Sequence, residues 1–99
     1  MNFDAIAARM LYEWLQHNPL PGKHQRGNLK TIQNYASDVD RFARWFKQST
    51  GLELSAESLT SDDIQDFISQ LQTVQERKPN TVLRYFAAIR AYCLYLLKT

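Results

Sequence analysis

The chain has 99 residues, of which 44% are hydrophobic and 12% aromatic, with a net charge of +2. That length sets one domain, and the apolar share is enough to bury a core and excludes a disordered tail. A single cysteine, Cys93, excludes an internal disulfide and fits a reducing compartment; no apolar run spans a bilayer and no signal-peptide pattern leads the chain, so a cytoplasmic, membrane-free protein is the expectation.

The first predicted element is a helix near 3–16. Phe3, Ile6, Ala7, Met10, Leu11, Trp14 and Leu15 recur at helical spacing on one broad face, which is expected to cap the core. A loop follows with the helix breakers Pro19, Pro21, Gly22 and Gly27, and it also carries Lys23, His24 and Arg26.

The second helix is predicted near 29–48. Its apolar stripe is Ile32, Tyr35, Val39, Phe42, Ala43 and Phe46, with Trp45 at the edge and Gly51 as terminator. Advancing 100° per residue places Lys30, Gln33, Asn34, Ser37, Arg41 and Arg44 at the centre of the opposite face, with Asp38 and Asp40 at its flanks. Cations beside Asn, Gln and Ser suit phosphate contacts and base-edge reading; an ordinary wet face is the plainer alternative.

The third helix, near 61–74, has Thr60 as its N-cap and Asp62 and Asp63 in its first turn, where acids suit the helix dipole. Its stripe is Ile64, Phe67, Ile68, Leu71 and Val74. The exposed acids of this helix would be repelled by a polyanion.

The fourth helix, near 80–98, starts around Pro79 with Asn80 or Thr81 as cap. Val82, Phe86, Ile89, Cys93 and Leu96 form its predicted stripe. Asn80, Arg84, Ala87, Ala91 and Lys98 lie opposite, with Ala88 and Tyr95 alongside. Alanines beside an arginine allow close approach either to a DNA groove or to another helix. The chain stops at Lys98–Thr99 straight after an apolar turn, which predicts continuation into a C-terminal partner domain.

Charge is segregated along the chain. Residues 23–47 hold six cations against two acids, residues 77–98 hold five cations and no acid, and residues 51–76 hold six acids and no cation. Two basic helices braced by an acidic one suggest a surface that meets a polyanion, most simply duplex DNA. Enzymatic readings fail on the residues. His17, His24 and Cys93 do not make a metal site, Cys93 sits on an apolar stripe as an inert thiol, and no phosphate-binding loop, nucleophile elbow or HExxH motif is present.

Three segments carry a family resemblance. "KTIQNYASDVDRFARWF" supplies Thr31, Ile32, Tyr35, Asp38, Val39, Phe42 and Trp45 in the order of a Thr-Ile/Leu-x-x-Tyr-x-x-Asp-Leu/Val-x-x-Phe-x-x-Trp pattern. "LTSDDIQDFISQL" and "KPNTVLRYFAAIRAYCLYL" follow at the right separation, the latter fitting through Thr81, Val82, Arg84, Ala87, Ala88, Ile89, Arg90, Tyr92 and Leu96. Together they resemble the N-terminal core-binding, SAM-like domain of tyrosine recombinases and phage integrases. The loop at 18–28 is longer than the family's usual link.

The resemblance implies an all-α, four-helix orthogonal bundle that clamps double-stranded DNA from one side while a separate catalytic domain of the parent protein grips the other, with protomer contacts in a recombinase tetramer. It implies no cofactor, no metal and no strand cleavage by this chain alone. The DNA-binding residues it and the charge pattern single out are Lys30, Thr31, Asn34, Ser37, Arg41 and Arg44 on the second helix, and Lys78, Asn80, Thr81 and Arg84 at the fourth. The competing function is a SAM-like helical protein-interaction domain without DNA binding.

Overall fold

In the computed structural model the residues described are 3–20 and 27–98, so Lys23, His24 and Arg26 of the first loop lie outside them. Four helices are present, α1 (Ile6–Leu15), α2 (Leu29–Thr50), α3 (Ser61–Thr73) and α4 (Pro79–Lys98), and no strand occurs among the described residues. The all-α, four-helix expectation holds.

The ends of the helices follow from local chemistry. The Asn28 side chain accepts the Thr31 N–H at 2.8 Å and starts α2. Gly51 stops it in the left-handed region (φ 78°), where glycine carries no Cβ penalty. Thr60 and Asp63 cap each other's backbone at the head of α3, a reciprocal box that satisfies two otherwise orphaned N–H groups. Pro79 is the first residue of α4, a position where its missing N–H costs nothing. Asn80 and Thr81 therefore lie inside the first turn of α4 and do not cap it, contrary to expectation.

The start of α1 is different. It begins at Ile6, not Phe3, and Ala5 offers no capping side chain. The Ala5 N–H instead donates to Asp40 Oδ1 of α2 at 2.8 Å. A carboxylate from another helix thus serves the positive end of α1.

One core joins all four helices. Phe42, Phe46, Phe67, Leu71 and Ile89 are buried as predicted, with Tyr35 and Ile64 partly buried against them. Phe67 sits at the centre of an aromatic cluster, its ring centroid 5.0 Å from Phe42, 5.3 Å from Trp45 and 5.6 Å from Tyr85. Helix α1 caps this core through Ala7, Ala8, Leu11 and Leu15, and Trp14 meets Tyr95 edge-on at 5.4 Å. Ile6 and Met10, expected on the buried arc, are exposed.

The inward stripe of α4 needs correction. Phe86, placed in the core by the sequence, is 51% exposed, while Tyr85 is 1% exposed. The buried stripe is Val82, Tyr85, Ala88, Ile89, Ala91, Tyr92 and Tyr95. Ala88, Ala91 and Tyr95 therefore belong to packing, not to an outer surface. Small residues let α4 lie close to its neighbours, and tyrosine rings fill the space while a hydroxyl finds a polar partner. Burial pushes the Tyr92 phenol up to about 12. Cys93 is half-buried and its thiol is pushed up by burial, as suits an inert side chain.

Candidate nucleic-acid interface

The seam between α2 and α4 organises the predicted site. Asp38 and Asp40, expected at the flanks of a wet face, are only 3% and 6% exposed. Arg84 closes on Asp38 with two bonds, Nε to Oδ2 at 3.0 Å and Nη2 to Oδ1 at 3.2 Å. One helical turn along α2, Arg41 Nη1 donates to the Tyr85 hydroxyl at 2.9 Å. The Arg84 guanidinium also lies 5.3 Å from the centre of the Tyr85 ring. Burial pushes the Asp38 carboxyl above its usual value, and the hydrogen bonds and charge of Arg84, with the charge of Arg41, pull it back.

The ten predicted site residues fall into three groups. Arg44 and Arg84 are held by acids of the same chain: Arg84 by Asp38, and Arg44 by Asp40 at 3.4 Å and Asp4 at 3.8 Å. Lys30, Arg41 and Lys78 have no carboxylate within 4.0 Å among the described residues. The side chains of Thr31, Asn34, Ser37, Asn80 and Thr81 make no hydrogen bond among the described residues, so their donors and acceptors remain free. Lys30, Asn34, Lys78 and Asn80 are exposed, and Thr31, Ser37 and Thr81 are half-exposed. The Asp38–Arg84 pair lies within about one turn of Asn34, Ser37 and Arg41 on α2 and of Asn80 and Thr81 on α4, so it brings the two sets to one seam.

Beside this seam is a cleft of about 340 Å³, whose lining includes Arg41, Arg44, Trp45, Gln70, Gln75, Arg77 and Tyr85 and contains no acid. The sequence reading missed it. In the sequence Arg77 figures only as charge, and nothing there marks Tyr85 for the site. Arg77 stands in the Gln75–Glu76–Arg77 turn, where α3 has ended and α4 has not begun. Glu76 takes a left-handed conformation (φ 49°), and the Arg77 N–H donates to Leu71 O at 2.8 Å.

No group of three or more His, Cys, Asp or Glu side chains able to hold a metal occurs among the described residues. No described helix is long and apolar enough to cross a membrane.

Comparison with known proteins gives one family. Residues 23–99 match the family described as "Phage integrase, N-terminal SAM-like domain". No curated protein and no solved structure matches the chain. The match covers α2, α3 and α4 and more than half of the chain, and the chain belongs to that family.

Proposed function

We propose that this phage-integrase N-terminal SAM-like domain is the duplex-DNA-binding module of a site-specific tyrosine recombinase. It serves DNA integration and recombination by clamping one side of the helix near the recombination site. A catalytic domain of the same parent protein grips the other side and carries the strand chemistry. Protomer contacts in a recombinase tetramer and a cytoplasmic location belong to the same reading.

The observation that supports it is the arrangement at the α2–α4 seam. Arg41 and Arg84 stand there beside the free hydrogen-bonding side chains within a turn of them, and Asp38 is withdrawn from the surface. Lys30, Arg41 and Lys78 suit phosphates, with Arg44 available once it leaves Asp40 and Asp4. Asn34, Ser37, Thr31, Asn80 and Thr81 offer donors and acceptors to base edges. Arg84 holds Asp38 through Nε and Nη2, which leaves Nη1 for a phosphate.

The test is duplex binding as a function of salt. With about four to six phosphates neutralised, log K falls against log salt with a slope near −4 to −5, and affinity lies in the ~10⁻⁴–10⁻⁶ M range of half a clamp. Salt-independent association, or none at low salt, counts against the reading. One observation favours the protein-interaction alternative: Leu83, Phe86 and Leu97 stand exposed on α4. Retention on heparin and elution by salt separate the two, since an apolar contact responds little to either.

A further inference from the structure

We propose that the cleft between α2, α3 and the α3–α4 turn seats one backbone phosphate of the bound duplex, gripped by Arg41 and Arg77 with Arg44 at its rim. The proposal rests on the DNA-binding reading above and assigns it a fixed point.

Three arginines line this cleft and no carboxylate does. Arg41 spends one N–H on the neutral Tyr85 hydroxyl, and Arg77 Nε spends one on the neutral Gln75 amide oxygen at 3.2 Å. Neither bond cancels charge. Arg44 shares its charge with Asp40 and Asp4 at distances beyond a hydrogen bond. Like charges around one concavity repel until an anion sits among them.

Gln70 and Tyr85 add donors to those of the arginines. Gln70 Oε1 accepts the Trp45 indole N–H at 2.7 Å, which leaves its amide N–H groups to give. The Tyr85 oxygen accepts from Arg41, and its hydrogen is free. A cleft rich in donors and free of carboxylates suits a ligand made only of acceptors. A phosphate meets that need, and guanidinium forks match its oxygens two at a time. At about 340 Å³ the cleft has room for such a group.

The placement of Arg77 is built, not incidental. A non-glycine residue in the left-handed region is sterically disfavoured, yet Glu76 takes it, and the turn that results ties the Arg77 backbone to the end of α3. The backbone, not the side chain, makes that tie, so side-chain substitutions at Arg77 leave it intact.

The experiment is a duplex series in which phosphates are replaced one at a time by neutral methylphosphonates, measured with the wild-type chain and with Arg77→Ala. One position is expected to weaken wild-type binding about tenfold, the loss of one charge-assisted contact, and to add nothing further in Arg77→Ala. Arg77→Lys, which keeps charge and loses the fork, falls between them. If Arg77→Ala binds every duplex as the wild type does, or loses equally at all positions, the seat is overturned while DNA binding stands. If the wild-type chain binds an acidic peptide and no duplex, the seat and the DNA reading fall together.

Discussion

At the seam between α2 and α4, Arg84 closes a two-bond fork on the buried Asp38, whereas Arg41 gives its bond to the neutral hydroxyl of Tyr85. Both arginines are exposed members of basic helices, and a charge count along the sequence treats them alike. The difference lies in the counter-charge. A guanidinium that neutralises a buried carboxylate is committed to the fold, because moving it leaves an uncompensated charge out of water. A guanidinium held by a neutral oxygen is oriented yet keeps its full charge for an incoming anion. Asp38 and Arg84 also stand in the recombinase-like pattern, so that pattern records a helix–helix lock.

The floor beneath both arginines is the aromatic cluster around Phe67, and removing it gives the largest expected effect. Phe67→Ala is expected to cost roughly 3–5 kcal/mol in chemical denaturation, because the ring is buried against Phe42, Trp45 and Tyr85. A loss under about 1 kcal/mol would mean that the seam has no such floor.

The committed arginine comes next. Arg84→Ala leaves Asp38 buried and unpaired, at a cost of about 2 kcal/mol near neutral pH, below the full figure for a buried pair because the Arg84 side chain is half exposed. The pH dependence carries a sign. Asp38 has a raised folded value, so stability is fullest below the ordinary carboxylate range and falls as pH rises through the folded value. Removing Arg84 raises that value further, so the penalty grows toward neutral pH and shrinks in acid. Denaturation of the variant at both ends of that range, with a penalty independent of pH, would show that the fork does not compensate Asp38.

An unpaired cation is predicted to behave in the opposite way. Lys30→Ala changes stability by less than about 0.5 kcal/mol and makes the salt slope of duplex binding shallower by about one. A stability loss comparable to that of Arg84→Ala would erase the contrast. Smallest of all is Asp66→Ala, on the exposed side of α3, which leaves duplex affinity unchanged or slightly improved in the same titration.

What the sequence disclosed was local. Thr60 and Asp63 lie within one turn of each other, Gly51 needs only its own φ, and the α2 stripe repeats over about four turns; such features announce themselves without tertiary knowledge. What stayed hidden depends on a partner far along the chain. Hydrophobicity ranks Phe86 above Tyr85, but the core position faces Arg41, and only a tyrosine can fill it and answer a guanidinium. Asp38 and Asp40 read as solvated because their partners, Arg84 and the Ala5 amide, stand 46 and 35 residues away. The cleft was illegible for the same reason: Arg41 and Arg77 share it only once α3 has packed and the turn after it has tied Arg77 to its end.

Asp40 uses its two oxygens on different clients, Oδ1 for the Ala5 N–H that begins α1 and Oδ2 for the nearby Arg44 guanidinium. The two are therefore thermodynamically linked. Any polyanion that draws Arg44 away changes the free energy with which α1 is held, and α1 changes the affinity for the polyanion by the same amount. Helix α1 lies outside the matched family segment, yet it is wired to a cation of the basic face through one carboxylate. The exchange rate of a single amide hydrogen, that of Ala5, becomes a gauge of whether Arg44 is occupied.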